Sequence, residues 1–333
     1  MSTLTSKYSQ VLLAFLVLTT VCLSQSGIHE NNDTLRFCFL SDTQEPLFLE
    51  SLFLKYNNNA LARKLIFEQI HELQPTSVFH LGDLVSIGFD NDRWGDIDQF
   101  VKTLHEHKID FLPIPGNHEY IFFPKKSISN FKSRYPYARL TGYSQRYNNL
   151  AVVLFNSNFD DLSEDERNGQ LHWYRGTLRE YESDPSIDFI IIGCHHSPFT
   201  NSKIVSASKR VRDYYLPEYY ESKKCKLFLS GHAHAYEHFR MNGKDFLVIG
   251  GGGGIQQPLR IGGNAEYQDI FSNSLEKRMF HFLTIKTYDD KLSVELKMLT
   301  KDFKGFENIP QLIFASDRLE QNKIRGIDLP PIK

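Results

Sequence analysis

The chain is predicted to fold as an α/β protein, a sheet packed by helices. Three observations predict it. Short, wholly apolar runs such as residues 189–192 read as strands covered on both faces. These runs alternate with segments of helical spacing. Five segments rich in Asp, Asn and His each follow directly on an apolar run, at the strand ends where an α/β sheet binds its ligands.

The elements follow in order. Residues 35–40 form a first apolar run leading to Asp42. Residues 59–73 carry Leu61, Leu65, Ile66, Ile70 and Leu73 at helical spacing. Residues 77–81 read as a strand ending in Gly82-Asp83, 97–107 as a helix, and 111–114 as a strand running into Gly116-Asn117-His118. Residues 150–155 form a strand. Residues 169–182 form an amphipathic helix through Leu171, Trp173, Tyr174, Leu178 and Tyr181. Strands at 189–192, 226–229 and 246–249 precede His195, Gly231 and the glycine run 250–254. Residues 280–286 and 291–299 pair as a final hairpin. No linker divides the middle, so residues 30–301 read as one domain, with 302–333 a C-terminal tail packed on or trailing from it.

Composition narrows the function. Hydrophobic content of 41% and charged content of 23% are those of a globular protein. A net charge of -2 with dispersed Lys and Arg gives no field for nucleic acid, which is excluded as an obligatory partner. Residues 1–25 read as an export signal: Lys7 precedes an apolar run at 11–23 of 13 residues, short of the roughly 20 that span a bilayer. The protein is therefore expected to be exported, secreted or periplasmic, with no stable membrane span once the signal is removed. Beyond that signal, Cys38, Cys194 and Cys225 lie in or beside apolar runs and read as buried thiols. Oligomeric state is left open.

The chemistry lies in five motifs: Asp42-Thr43-Gln44, Gly82-Asp83, Gly116-Asn117-His118-Glu119, His195-His196-Ser197-Pro198 and Gly231-His232-Ala233-His234. Singly each has an ordinary reading, Gly-Asp as a turn and His-x-His as coincidence. Together they supply oxygen and nitrogen ligands for two adjacent divalent metals, the apparatus for hydrolysing a phosphate ester. Asp83 suits a bridge, because its two oxygens can each hold one metal. Asn117 offers a neutral amide oxygen. Adjacent residues of an extended chain point to opposite faces, so one of His195 and His196 is expected to reach the metals and the other to support or pack. His118 fits a general acid or electrostatic stabiliser. Residues 200–224, with Lys203, Lys209, Arg210 and Arg212, read either as a rim gripping phosphate or as a solvated helix and loop.

In this order the motifs resemble the calcineurin-like metallophosphoesterase family, whose pattern is Asp-x-His, Gly-Asp, Gly-Asn-His-Asp/Glu, His-x-Pro and Gly-His-x-His. The likeness covers residues 35–299, and within the family it looks most like the purple-type acid phosphatases. It implies two mixed β-sheets sandwiched between helices and two divalent metal ions, Mn, Fe, Zn or Mg. Asp42, Gln44, Asp83 and His234 would hold the first metal. Asp83, Asn117, His196 and His232 would hold the second, His196 being chosen by the His-x-Pro spacing. His118 would assist the leaving group as water attacks phosphorus. The implied substrate is a small phosphorylated molecule and the preferred activity a phosphomonoesterase. The alternatives are a phosphodiesterase of the same fold and a non-catalytic metal-binding scaffold. Gln44 stands where most members have His, and Ser86 where purple enzymes have Tyr, so no purple ferric centre is expected.

Overall fold

The computed structural model describes residues 34–271, 275–288 and 290–316. The expected export signal and residues 317–333 lie outside them. The first part of the described chain contains β1 (Leu35–Leu40), α1 (Phe48–Ser51), α2 (Asn59–Leu73), β2 (Ser77–His80), α3 (Gly95–Glu106), β3 (Asp110–Pro113) and α4 (Pro124–Arg134). Next come β4 (Tyr143–Tyr147), β5 (Leu150–Leu154), α5 (Glu164–Ser183), β6 (Phe189–Cys194), α6 (Lys209–Tyr214), α7 (Leu216–Glu221), β7 (Cys225–Ser230), β8 (Tyr236–Met241) and β9 (Lys244–Ile249). β10 (His281–Tyr288), β11 (Lys291–Leu299) and β12 (Phe306–Ala315) complete it.

The strands form two mixed six-stranded sheets, β12-β11-β10-β1-β2-β3 and β4-β5-β6-β7-β9-β8. In the first, β1, β2 and β3 run parallel and β10 to β12 antiparallel. In the second, β5, β6, β7 and β9 run parallel, with β4 and β8 antiparallel at the edges. This is the expected sandwich, and the strand sequences explain it. Every residue of β5 is buried. Leu150, Val152 and Leu154 join the core shared with the first sheet, whereas Ala151 and Val153 pack with Tyr174, Leu178 and Tyr181 of α5. β6 divides the same way, Phe189 and Ile191 to one side and Ile190 and Ile192 to the other. A strand with two apolar faces needs a cover on each.

Aromatic rings pack within the first sheet and across to the second. Phe79 of β2 stacks on Phe39 of β1 at 4.6 Å between centroids, and Tyr147 of β4 meets Phe37 at 4.7 Å. α2 and α3 cover the outer side of the first sheet with Ile66, Ile70, Phe100 and Leu104, and Phe67 stacks on Phe100 at 4.0 Å.

Three features depart from the sequence reading. α5 begins at Glu164, earlier than its apolar periodicity, because its first turn is polar and a capping box starts it: Ser163 and Glu166 exchange side-chain-to-backbone hydrogen bonds. Residues 124–134 and 143–147, to which the sequence reading assigned no element, form α4 and the edge strand β4. The first sheet also runs past residue 301. Residues 306–315, read as part of a tail, are an edge strand paired with β11. Pro310 sits where that pairing shifts register, the kind of place an edge strand tolerates proline.

Cys38, Cys194 and Cys225 are buried free thiols. Burial pushes Cys38 and Cys225 up to about 12. No described helix is long and apolar enough to cross a membrane. Phe79 is fully buried between the sheets. Phe79→Ala should therefore cost about 3–5 kcal/mol, read as a lower midpoint in denaturant unfolding. A change within error would mean the inter-sheet core repacks around the loss.

Candidate metal centre

Because β1, β2, β3, β6 and β7 are the parallel strands of their sheets, their carboxyl ends gather at one edge of the sandwich. Asp42, Asp83 and Asn117 leave the first sheet there, and His195, His196, His232 and His234 leave the second. The backbone bends sharply to present them. Asp42, Asp83 and His232 adopt the left-handed conformation, with φ of 60°, 56° and 68°. For side-chain-bearing residues this costs of order 1–3 kcal/mol each and persists where surrounding bonds impose it. Those bonds are present. Asp42 N–H donates to Gly82 O at 3.0 Å, and His232 N–H donates to the Asp42 carboxylate at 3.0 and 3.1 Å.

Glu119 holds Asp83. Its buried carboxylate accepts four backbone N–H bonds: Asp83 at 3.0 Å, Leu84 at 2.8 Å, Val85 at 3.2 Å and Gly116 at 2.7 Å. The loops after β2 and β3 are thereby tied to one side chain. Burial, with Asp83 beside it, pushes this carboxyl up to about 7 against the pull of its N–H donors. A Cβ added at Gly116 would lie 2.2 Å from Asp83 Oδ1, and one at Gly231 would lie 2.0 Å from Ser41 Oγ. Close approach, more than turn geometry, requires these glycines. The run 250–254 serves the same end. It threads between the ligand loops, Gly252 N–H donating to Ser41 O at 3.0 Å and Gly254 N–H to Asp42 O at 2.8 Å.

The candidate ligands form two adjacent groups, Asp42, Asp83 and His234 in one and His195, His196 and His232 in the other, with the atoms that could bind a metal within 4.8 Å of one another in each. In the first, His234 Nδ1 donates to Ile255 O at 2.8 Å, which leaves Nε2 3.3 Å from Asp42 Oδ1. Gln44 is best satisfied with its amide oxygen 3.1 Å from that Nε2 and its NH₂ donating to Asp42 O and Asp83 O at 3.3 and 3.1 Å. The amide thus turns its acceptor inward. In the second, the His196 and His232 rings lie 4.5 Å apart, and His196 Nδ1 bonds Ser157 Oγ at 2.8 Å. His195 is wholly buried, its Nε2 3.1 Å from Asn117 Oδ1 and 3.3 Å from Asp83 Oδ2. Asp83 therefore stands between the two groups.

His118 flanks them. Its backbone N–H donates to Asp83 Oδ1 at 2.8 Å, its Nδ1 donates to Ser86 O at 2.8 Å, and its Nε2 lies 3.8 Å from Asp83 Oδ2. The electrostatics suit cations. Burial pushes the Asp83 carboxyl up, but His195 and His118 more than reverse this and hold it well below the usual carboxylate range. Burial and the neighbouring His195 hold His196 down at about 3, and burial with His196 and His195 holds His232 well below the ordinary imidazole range. Both are unprotonated at neutral pH, the state a metal ligand needs. Carboxylate, amide and imidazole lone pairs converge here, a donor set that fits divalent ions such as Mn, Mg, Fe or Zn.

All seven expected ligands and His118 are brought together. Glu119, Ser157 and the support role of the glycine run were missed. Glu119 stood inside a motif, but its four partners are backbone groups with no sequence signature. Three of the six basic side chains of 200–224 are matched with carboxylates. Lys203 pairs with Glu276, Arg210 with Asp160 and Lys209 with Asp213, while Arg212 donates to Pro198 O. These partners favour the solvated-surface reading over a phosphate rim.

A family model for calcineurin-like phosphoesterases matches residues 35–236, more than half of the chain. No curated protein sequence matches significantly. Among solved structures, GAP50, the anchor in the inner membrane complex of Plasmodium, is similar with a TM-score of 0.63 at 14% identity over 84% of this chain and 89% of that one. The purple acid phosphatase PPD1 of yellow lupin gives 0.60 at 15% identity over 86% of this chain and 54% of that one. A dimetal phosphatase from Danio rerio gives 0.54 at 15% identity over 85% of this chain and 99% of that one. At these identities the likenesses show a shared fold.

Two predictions follow from the supports. Gly116→Ala forces Asp83 aside and should weaken metal binding by more than about tenfold with circular dichroism unchanged; calorimetric titration with Mn(II) reads it. Glu237 on β8 is buried and holds the loop after His196, accepting from Thr200 Oγ1 at 2.5 Å and Asn201 N–H at 2.7 Å. Burial pushes its carboxyl up to about 7 from 4.5, against the pull of the Thr200 and Asn201 hydrogen bonds and with Asp269 adding a smaller rise. The folded state then binds the extra proton, so this group's contribution to stability falls as pH rises from about 4.5 to 7, by about 3 kcal/mol. Glu237→Gln should flatten that slope in denaturation measured across pH.

Proposed function

The chain belongs to the calcineurin-like phosphoesterase family, and from that premise we propose that it hydrolyses phosphate monoesters at a pair of divalent metal ions. One observation carries the reading. Asp83 lies between two adjacent ligand groups, with one oxygen 3.3 Å from His195 in the second group while the residue is itself a member of the first. A shared carboxylate of this kind suits a two-metal site. When bound, the cations would polarise the phosphoryl oxygens and activate water for attack.

The protein's own groups do the rest. Gln44 and Asn117 contribute neutral oxygens, which limits the negative charge that would repel a phosphate. Ser86 O fixes His118 by its Nδ1, so Nε2 is the atom that faces the substrate and hands a proton to, or stabilises charge on, the leaving oxygen. Asp83 sets the height of that ring through the His118 backbone N–H. Monoester preference rests on the purple-type likeness of Gly116-Asn117-His118-Glu119 and of Gly231-His232-Ala233-His234-Ala235-Tyr236-Glu237. The export signal read in residues 1–25 supports an activity outside the cytoplasm.

Metal-stripped protein should recover hydrolysis of p-nitrophenyl phosphate over bis-p-nitrophenyl phosphate when Mn, Zn, Fe or Mg is added. Diester turnover alone would shift the assignment to phosphodiesterase. Folded, metal-loaded protein without turnover of either ester would make it a scaffold. Asp83→Asn should abolish turnover and lower metal content. His118→Ala should cut kcat by about 10²–10⁴ with metal content intact, and an equal loss of both would make His118 structural.

A further inference from the structure

We propose that His195 is a direct ligand of the second metal, giving that half of the site three imidazoles. The His-x-Pro spacing selects His196 and assigns His195 nothing. The geometry of the ring is what assigns it. Leu81 O can only accept, so the Nδ1 that lies 2.9 Å from it must carry a hydrogen and donate. Nε2 then faces two further acceptors, Asn117 Oδ1 at 3.1 Å and Asp83 Oδ2 at 3.3 Å. Nε2 and two acceptor oxygens share one small space, which takes either a proton on Nε2 or, in its place, a metal ion bound by all three. The spacing also fits. Two ligands about 2.1 Å from one ion stand roughly 3.0–3.4 Å apart across octahedral to tetrahedral angles.

The other half of the site repeats the arrangement. His234 donates through Nδ1 to a backbone carbonyl, Ile255 O, at 2.8 Å, and turns Nε2 to a carboxylate oxygen of Asp42 at 3.3 Å and to the Gln44 amide oxygen at 3.1 Å. His195, Asp83 and Asn117 are the same trio of imidazole, carboxylate and amide at the same distances. An imidazole whose outer nitrogen is fixed by a carbonyl presents the other in a defined tautomer and direction. His195 therefore holds in the second half the place His234 holds in the first.

One consequence concerns metal choice. Gln44 removes an imidazole from the first half relative to the family pattern, and His195 adds one to the second. The first half is left with Asp42, Asp83, Gln44 and a single imidazole, a set suited to Mn or Mg. The second, with His195, His196 and His232, suits Zn, Fe or Co. The two positions should take different metals.

The test reads metal binding and needs no substrate, so the absence of hydrolysis would count against the proposed function and not against this ligand. Metal-stripped full-length protein is titrated with Zn(II) by calorimetry, as wild type and as His195→Ala and His195→Gln. Loss of about tenfold or more in one Zn(II) affinity, with the other metal event retained, supports the assignment. Two unchanged affinities in either folded variant overturn it. A crystal of the wild-type protein grown with Zn(II) decides the matter even if both variants fail to fold. An anomalous peak within about 2.3 Å of His195 Nε2 establishes the bond, and a peak beyond about 3 Å of it, with His196 and His232 bound, overturns it.

Discussion

The buried carboxylate of Glu119 is the interaction on which the site depends. Its four backbone N–H bonds fix the loop after β2 against the loop after β3, and Asp83 emerges between them. A buried carboxyl is tolerated there because its oxygens are taken up by amides. The strained backbone of Asp83 is paid for by the same bonds. Asp83 in turn accepts from the His118 backbone and stands against His195. Displacing Glu119 would therefore shift a ligand, the flanking histidine and an imidazole at once.

Topology explains why that one anchor suffices. Each sheet contributes parallel strands whose ends meet at a common edge, so the ligand loops start from fixed positions on a rigid core. Little freedom is left for them to lose on binding a cation. Short loops, left-handed residues and glycines at contact distances then aim the side chains. The precision of the site comes from backbone, and the side chains finish it.

This division accounts for what was legible in the sequence. The sandwich core was readable because strands such as β5 and β6 are apolar on both faces and α2 has plain helical spacing. The candidate ligands were readable because Asp, Asn and His after apolar runs are rare in combination. β4 and β12 were not, since edge strands with a solvated face carry a weak pattern. The part of Glu119 was not, because its partners are main-chain amides found only when two distant loops meet. The orientation of His195 was not, because alternation along an extended chain separates neighbours only while the chain stays extended. Beyond Cys194 the strand has ended, and His195 and His196 both reach the site.

The three buried thiols carry a consequence for the life of the protein in different compartments. A thiol reacts with oxidants and disulfides as the thiolate. Cys38 and Cys225, pushed up to about 12, and Cys194, pushed well above its ordinary value, present almost no thiolate at neutral pH and no path to solvent. Once folded, these thiols are shielded from oxidants and disulfides in the surroundings. Among the described residues, these three thiols offer no ready handle for redox control.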